Sequence, residues 1–269
     1  MIQYLYLGRV AYDEGLALQQ ELVELRHAGR IANTLLLLEH PPVLTLGRNA
    51  KRENILATDA MLARKGVSVH EINRGGDVTY HGPGQLVGYP IFDLRSLFNA
   101  SGSRLGPVDY VRRMEEALIR VCAGFGVLTG RVAGRTGVWT LGAPEKKVGA
   151  IGVHVSRGIT SHGFALNVTT DLRDFQWIVP CGIADRDVTS LELEISSAET
   201  LPTLEQAADA AARCFGQVFG EPVLAIENLN ALRAAAGRDD RTGVPMRVPE
   251  EVERLLESGL HSAGKPVQA

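Results

Sequence analysis

Apolar positions recur with two different periods along the chain, and together these periods predict both helices and strands. Leu18, Leu22 and Leu25 are spaced as on one helix face, with Glu and Gln between them, which predicts an amphipathic helix over residues 12–28. Short apolar runs bounded by Gly, Pro or charged residues are typical of strands. Such runs predict strands at 2–7, 34–38, 43–46, 67–72, 86–92, 137–141, 148–155 and 164–168, and helical spacing predicts helices at 59–65, from 107 to about 124–126, and at 204–219.

The order of these elements favours an α+β fold with a mixed, largely antiparallel sheet and flanking helices. The runs 137–141 and 148–155 are separated by a turn at 142–144, and 164–168 continues the β pattern. Strands joined by short turns pair antiparallel, because a parallel pair needs a long crossover. A doubly wound sheet would instead need regular alternation of strands and helices.

The pattern also predicts one large domain followed by an extension. Apolar periodicity weakens after Pro222, and residues 237–269 carry the charged run 238–241, three prolines and a polar end. We therefore expect a catalytic domain over 1–220 and a C-terminal extension over 221–269, partly helical or flexible, with one short helix near 249–260.

Composition narrows the class of protein. Of 269 residues, 45% are apolar and 22% charged, as in ordinary globular proteins, and the net charge of −3 gives no reason to expect a nucleic-acid partner. The N-terminus lacks a signal-peptide pattern, and no apolar run approaches the roughly 20 residues of a membrane helix, so we expect no membrane partner. Three widely spaced cysteines predict neither disulfides nor a zinc site, which favours the cytoplasm.

The stretch 74–90 holds five glycines and two prolines in 17 residues. So many glycines indicate a backbone that bends sharply or approaches a ligand closely, so we interpret this stretch as one wall of an active site. Neither nucleotide motif fits. The third glycine of G-x-G-x-x-G would fall at Val87, and G-x-x-x-x-G-K-[ST] is absent.

Cys181 is the candidate nucleophile. It lies between Pro180 and Gly182 in a predicted turn, whereas Cys122 and Cys214 fall on helical patterns and are interpreted as small buried residues. A free thiol with a pKa near 8.5 is mostly protonated at neutral pH, so a reactive Cys181 needs a cationic or basic neighbour. The candidates for that neighbour are His81, His154, His162, Lys146 and Lys147.

Strand alternation puts the side chains of Lys146 and Lys147 on opposite faces, so only one can address a given pocket. Strict alternation places Lys147 on the same face as Gly149, Ile151, Val153 and Val155. A lysine at the rim of an apolar face would have a lowered pKa, although a solvated turn lysine explains the position equally well at this point.

Four motifs taken together resemble the lipoyl (octanoyl) transferase family, also called lipoate-protein ligase B. They are R-G-G-x-x-T-Y-H-x-x-G-Q-x-V-x-Y from Arg74 to Tyr89, K-V-G-A-I-G from Lys147 to Gly152, H-G-F-A-L-N from His162 to Asn167, and Pro180-Cys181-Gly182. The resemblance covers roughly residues 1–220. It implies an α+β fold similar to that of biotin- and lipoate-protein ligases.

The resemblance further implies transfer of an octanoyl group from octanoyl-acyl carrier protein to a lysine of lipoyl domains, the first step of endogenous protein lipoylation. The acceptors would be the lipoyl domains of 2-oxoacid dehydrogenases and the glycine-cleavage H protein. Cys181 matches the nucleophile, which becomes an acyl-thioester, and Lys147 matches the lysine that lowers the pKa of that thiol and assists proton transfer. No ATP or other cofactor is expected, because the thioester is already activated.

By the same matching, three segments are expected to line the acyl site. For Arg74 a structural ion pair, and for His81 a structural hydrogen bond, remain alternatives, and His154 and His162 are interpreted as scaffold. The expected lining residues are Arg74, Gly75, Gly76, Asp77, Val78, Thr79, Tyr80, His81, Ala150, Ile151, Gly152, Gly163, Phe164 and Ala165.

Three other functions stay open. The first is an ATP-dependent lipoate or biotin ligase on a related fold, although the biotin-ligase pattern G-R-G-R-x-G is absent. The second is a non-catalytic module that binds acylated proteins. The third is metal catalysis through His81, His154, His162 and Cys181, which lack ligand-type spacing, so we expect no metal.

Overall fold

The computed structural model describes residues 1–99, 101–179, 187–195 and 201–237. Its strands are β1 (Ile2–Arg9), β2 (Asn33–Glu39), β3 (Val43–Leu46), β4 (Ser68–Glu71), β5 (Val78–His81), β6 (Gln85–Ile91), β7 (Thr129–Val132), β8 (Arg135–Thr140), β9 (Lys147–Ser156), β10 (Ile159–Asn167) and β11 (Val223–Ala225). Its α-helices are α1 (Tyr12–His27), α2 (Asp59–Arg64), α3 (Pro107–Gly124), α4 (Leu191–Glu194), α5 (Leu204–Phe219) and α6 (Leu229–Gly237).

An eight-stranded sheet forms the centre of the fold, in the order β11-β1-β2-β6-β10-β9-β8-β7. β1 pairs in parallel with β11 and β2, and the other neighbours in this sheet pair antiparallel. The prediction of an α+β fold with a mixed, largely antiparallel sheet is confirmed. Helices α3 and α5 bury their apolar faces on one side of the sheet, and α1 and α6 cover part of the other side.

Local sequence explains where the helices on the first side begin. Pro107 occupies the first turn of α3, where its missing N–H costs nothing. α5 begins with a capping box, in which Thr203 and Gln206 each accept the other's backbone N–H. Both helices then contribute wholly buried residues, such as Met114 and Phe215, to the core under the large sheet.

A second, three-stranded sheet has the order β4-β3-β5. It contains β5, a strand within the glycine-rich stretch 74–90 that was not predicted. The prediction missed β5 because only five residues separate Gly76 from Gly82. Tyr80 of β5 is 1% exposed and packs in T-shaped contacts with Phe175 and Trp177.

Residues 221–237 continue the same fold. β11 adds an edge strand to β1, and Leu232 of α6 is wholly buried in the core beneath α1. The division at residue 220 stays a prediction, and the predicted helix near 249–260 lies outside the described residues. Among the helices of the described ranges, none is long and apolar enough to cross a membrane.

Candidate functional site

A cavity of about 390 Å³ lies between the large sheet and the small one, and we call it the central cavity. Its floor is defined by Val87 and the small residues Ala150, Gly152, Gly163 and Ala165 of β6, β9 and β10. Its roof is defined by Arg74, Gly76, Asp77, Thr79 and His81, from β5 and the segment before it. The other lining residues are Tyr12, Tyr89, Gly134, Arg135, Thr136, Lys147, Ile151, His162 and Phe164.

Small residues of the floor face each other across the β9–β10 pair. Ala150 lies opposite Ala165, and Gly152 opposite Gly163. A Cβ atom on Gly163 would lie 2.1 Å from the carbonyl oxygen of Gly88, and one on Gly152 would lie 2.8 Å from that of Gly75. Glycine is therefore required at both positions for close backbone approach, and the floor leaves room for an apolar chain.

Arg74 is held in the roof by hydrogen bonds to β3. Its Nη2 donates to the backbone oxygen of Thr45 at 2.8 Å and to Thr45 Oγ1 at 2.9 Å, and Nη1 donates to the backbone oxygen of Gly75 at 3.0 Å. Arg74 is only 8% exposed. The guanidinium therefore places a fixed positive charge at the central cavity.

Hydrogen bonds set the tautomer of His81. Gln85 Nε2 donates to the backbone oxygen of Tyr80 and to Asn167 Oδ1, so its Oε1 faces His81 Nδ1 at 2.7 Å and accepts from it. A proton on Nδ1 leaves Nε2 of the neutral ring as an acceptor. Burial lowers the pKa of His81 to about 3, so the ring stays neutral at neutral pH.

A second buried histidine orients an aromatic wall of the cavity. His40 Nδ1 donates to the backbone oxygen of Val10 at 2.7 Å, and Tyr89 donates its hydroxyl to His40 Nε2 at 2.6 Å. Burial lowers the pKa of His40 to about 4 and raises the pKa of Tyr89 well above its ordinary value. The ring of Tyr12 stacks on His81 at 6.3 Å. His40 and Tyr89 are therefore neutral hydrogen-bonded groups rather than charged ones.

The side chain of Lys147 faces the central cavity. Strict alternation predicted that it lies on the opposite face of β9. A β-bulge between β8 and β9 pairs Trp139 with Lys147 but Val138 with Gly149, and this extra residue shifts the alternation by one. Lys147 therefore lines the cavity with Ala150 and Gly152, while Val153 and Val155 pack against the core on the other face. Strict alternation had placed Lys147 with those valines, which is wrong.

The ammonium of Lys147 lies over an aromatic ring. Its Nζ is 4.7 Å from the centre of the Trp139 ring, and Lys147 is only 8% exposed while Trp139 is 1% exposed. The face of an indole attracts a cation. Trp139 therefore helps to hold the lysine side chain in its buried position beside the cavity.

Cys181 lies outside the described residues, but both described flanks of its segment are tied to the site. Before it, Val179 N donates to the backbone oxygen of Asn54 at 2.8 Å, and Asn54 Nδ2 donates to Asp77 of the roof at 2.7 Å. After it, the backbone oxygen of Asp187 accepts from the backbone N–H of Lys147 at 2.9 Å. Val179 and Asp187 are thus both connected by hydrogen bonds to residues that line the central cavity.

The other two cysteines are far less suited to nucleophilic chemistry. Cys122 is wholly buried in α3, and burial raises the pKa of its thiol to about 12. Cys214 of α5 is half-buried, and burial raises the pKa of its thiol as well. A high thiol pKa keeps the thiolate scarce at neutral pH.

The charges that face the central cavity are mostly positive. Arg74, Arg135 and Lys147 line it together with one carboxylate, Asp77. Cations at this position favour a thiolate and the negative oxygen that develops during acyl transfer. Within the described ranges, no group of three or more His, Cys, Asp or Glu side chains is arranged to hold a metal ion.

Most of the expected lining residues meet at the cavity, and three do not. Gly75 is not part of the lining, and Val78 and Tyr80 are buried in the core of the small sheet. Strand alternation explains this, because Val78 and Tyr80 point away from the face that carries Thr79 and His81. The expected lining residues that do line it are Arg74, Gly76, Asp77, Thr79, His81, Ala150, Ile151, Gly152, Gly163, Phe164 and Ala165.

Sequence reasoning missed several lining residues. Tyr12 begins α1, and Arg135 and Thr136 lie at the start of β8, far in sequence from the motifs. His162 was interpreted as scaffold, yet it lines the cavity, with its backbone in the left-handed region at φ 54°. The sequence did point to Tyr89, because Tyr89 belongs to the glycine-rich stretch that was interpreted as a wall of the active site.

Known proteins resemble this chain in both sequence and fold. A family model described as the lipoyl protein ligase A/B catalytic domain matches residues 11–216. An octanoyltransferase of Acidobacterium capsulatum is 68% identical over 233 residues, which cover 85% of this chain and 94% of that protein. An octanoyltransferase of Koribacter versatilis is 54% identical over 261 residues, covering 97% and 99%.

A solved structure shares the fold at low sequence identity. It is a bipartite lipoate protein ligase from Thermoplasma acidophilum, studied with its E2 lipoyl domain, with a TM-score of 0.65 at 15% identity. The match covers 93% of this chain and 100% of that one. The predicted resemblance of the fold to that of lipoate-protein ligases is confirmed.

Proposed function

The chain belongs to the lipoyl (octanoyl) transferase family of enzymes, and we propose that it moves an octanoyl group from octanoyl-acyl carrier protein to a lysine of lipoyl domains through a thioester on Cys181. The acceptors would be lipoyl domains of 2-oxoacid dehydrogenases and the glycine-cleavage H protein. We propose the cytoplasm as its location, because a reactive thiol persists under reducing conditions.

One observation carries this proposal. Lys147, a buried cation, lies at the edge of a cavity whose floor consists of Val87 and small alanine and glycine residues. The cation suits a thiolate, and the floor suits an unbranched alkyl chain. The described flanks of Cys181 are both hydrogen-bonded at this cavity, through Asn54 and Lys147, which supports assigning the nucleophile to this position.

In the first step, the thiolate of Cys181 attacks the carbonyl carbon of the carrier-protein thioester. A C–S bond to Cys181 forms, the C–S bond to the carrier's thiol breaks, and the ammonium of Lys147 gives a proton to the departing thiolate. One thioester replaces another, so no ATP is needed. Arg74 and Arg135 favour the negative charge that develops on the carbonyl oxygen.

In the second step, the amine of the acceptor lysine attacks the acyl-enzyme. A C–N bond forms, the C–S bond to Cys181 breaks, and the proton lost by the amine passes to the now neutral Lys147. Cys181 returns as a thiolate beside a lysine ammonium, ready for another donor. Covalent catalysis thus divides one reaction between two proteins into two simpler encounters.

Intact-mass spectrometry tests the first step. The protein incubated with octanoyl-acyl carrier protein, without ATP, is expected to gain one octanoyl group on Cys181. The variant Cys181→Ser is expected to gain none and to leave a lipoyl domain unmodified, whereas the matched variant Cys214→Ser keeps both activities. Acylation of the lipoyl domain that requires ATP would instead indicate an acyl-adenylate ligase.

The variant Lys147→Arg tests proton transfer. Arginine keeps a positive charge but does not give up its proton, so we expect the thiolate of Cys181 to be retained. Self-acylation should be slower, because the departing carrier thiolate has no proton donor, and transfer to the lipoyl domain should fall at least about a hundredfold. Single-turnover measurements of the two steps separate these effects. Transfer at the rate of the unmodified protein would exclude Lys147 as the group that moves the proton.

A further inference from the structure

A larger cleft, which no part of the proposed reaction uses, lies directly behind the central cavity. It has a volume of about 620 Å³ and lies between α1, the segment 71–73 and the β9–β10 hairpin. We call it the rear cleft. Leu16, Val23, Ile72 and Ile159 give it apolar lining, and an ion pair between Glu24 and Arg157 lies among its exposed lining residues.

The two spaces are consecutive sections of one groove along β9 and β10. Ala150 and Gly152 of β9 line the central cavity, and the next residues on the same face, His154 and Ser156, line the rear cleft. The partner strand repeats this order, because Ala165 and Gly163 line the cavity whereas Ser161 and Ile159 line the cleft.

A partition crosses the groove where the two sections meet. On β9, the backbone N–H of Gly75 donates to the oxygen of Val153 at 2.9 Å, so the segment 73–75 lies across the strand. On β10, His162 lines both spaces, and its Nε2 is hydrogen-bonded to Asn73 Oδ1 at 2.8 Å.

The backbone conformation of His162 explains its place in the partition. Its φ of 54° departs from strand geometry, and its N–H donates to Gln19 Oε1 of α1 at 2.7 Å. This left-handed turn brings the residue onto the α1 side of the sheet, although its strand neighbour Phe164 packs against the opposite core. A buried ring held by Asn73 at this point blocks the groove.

The length of the central cavity matches a medium acyl chain. The bulge between Lys147 and Gly149 adds one residue without adding a strand step, so at a rise of about 3.3 Å per residue Lys147 and Gly152 are about 13 Å apart. With C–C bonds of about 1.5 Å in a zigzag, an octanoyl chain extends about 9 Å and a tetradecanoyl chain about 16 Å. A chain that starts beside the Lys147 ammonium therefore fits as octanoyl, and a tetradecanoyl chain meets the partition.

We propose that the partition formed by His162 and the segment 73–75 is the chain-length stop of the acyl site, and that the rear cleft accepts longer chains once the stop is removed. This inference rests on the proposed function, because it places the thioester at the Lys147 end. The hydrogen-bonded pair of His162 and Asn73, and not the floor alone, then sets the selectivity for octanoyl donors.

Single-turnover transfer from octanoyl- and tetradecanoyl-acyl carrier protein to a lipoyl domain tests the proposal. The unmodified protein is expected to prefer octanoyl at least about tenfold, on the scale of steric discrimination in apolar pockets. In His162→Gly, the preference should fall at least about tenfold through a faster tetradecanoyl reaction, since glycine keeps the left-handed backbone. Asn73→Ala, which frees the ring, should act in the same direction.

Matched controls distinguish the loss of the chain-length stop from an unspecific loss of activity. His27→Asn changes an exposed histidine at the end of α1 and should keep the octanoyl preference. An unchanged preference in both His162→Gly and Asn73→Ala, with octanoyl transfer intact, would overturn the proposal. If the unmodified protein transferred no octanoyl group, the proposed function would fail instead.

Binding of free fatty acids tests the partition without any transfer. Isothermal titration calorimetry is expected to show at least about tenfold tighter binding of tetradecanoate to His162→Gly than to the unmodified protein, with octanoate affinity nearly equal in both. Equal tetradecanoate affinity in the two proteins would overturn the proposal whatever the enzymatic result.

Discussion

The floor and the roof of the central cavity are built from opposite kinds of residue. The floor belongs to the large sheet and consists of Ala, Gly and Val side chains that only leave space. The roof belongs to the small sheet and the segment before it, and it carries Arg74, Asp77, Thr79 and His81, of which Arg74, Asp77 and His81 are fixed by hydrogen bonds. The large sheet thus provides the open space of the cavity, and the small sheet with its preceding segment provides the polar groups.

This separation has a consequence for substitutions. A change in the floor acts through steric contact, because its residues meet neighbouring backbone directly. A change in the roof acts through charge and protonation, because Arg74, Thr79 and His81 are polar and buried. The two regions are therefore expected to respond to different measurements.

The largest effect is expected in the floor, from Gly163→Ala. The new Cβ would lie 2.1 Å from the backbone oxygen of Gly88, so β6 and β10 must separate. We expect the free energy of unfolding to fall by about 3 kcal/mol, as overpacking against backbone has no cheap relaxation. Urea unfolding followed by circular dichroism measures this change.

A matched glycine in an open position provides the control for Gly163→Ala. A Cβ on Gly142 meets no atom within 4 Å, and Gly142 is not in the left-handed region. We expect Gly142→Ala to change the free energy of unfolding by less than about 0.5 kcal/mol. Equal effects of the two substitutions would contradict the steric account of the floor.

In the roof, the pH dependence of stability is the sharper probe. Burial lowers the pKa of His81 to about 3, whereas an unfolded histidine has a pKa of about 6.5. Below pH 6.5 the unfolded chain binds a proton that the folded chain does not, so stability is full above that pH and declines by about 1.4 kcal/mol per pH unit as the pH falls towards 3.

The variant His81→Asn removes this contribution. Between pH of about 6.5 and about 5, the unmodified protein should lose about 2 kcal/mol more of its unfolding free energy than the variant loses. Urea unfolding at several pH values measures the difference, in which His40 and His162 cancel because both proteins contain them. A variant with the same slope as the unmodified protein would show that His81 does not stay neutral in the folded state. His27→Asn, an exposed substitution, should keep the full slope.

Sequence alone predicted the elements well but not the direction of single side chains. Most strands and helices followed from apolar periodicity, which local changes do not disturb, whereas the short elements β5, β7, β11, α4 and α6 were not predicted. Lys147 was placed on the wrong face because one extra residue at the β8–β9 bulge inverts the alternation, and His162 was undervalued because a left-handed φ turns it away from its strand pattern. Neither the bulge nor the left-handed backbone of His162 changes the apolar periodicity of the sequence.

The candidate site was predicted in part for the same reason. The motif residues Arg74, Thr79 and His81 were recognised because glycines mark their segment, and all three line the cavity. Tyr12 and Arg135 come from distant elements whose own sequences carry no signal for the site, so only the folded chain brings them there. The roles of Cys181 and Lys147 stay predictions.

The smallest effect is expected from replacing Trp139, whose ring contacts the ammonium of Lys147 at the edge of the central cavity. Leucine removes the aromatic face that lies 4.7 Å from the ammonium, whereas phenylalanine keeps a face there. A cation–π contact contributes about 1 kcal/mol, so octanoyl transfer by Trp139→Leu should be about fivefold slower than by Trp139→Phe. Both variants lose the volume of the indole, so the ratio of their transfer rates reports the contribution of the aromatic face alone. Single-turnover transfer to a lipoyl domain measures that ratio, and equal rates would show that Lys147 is held by its other contacts alone.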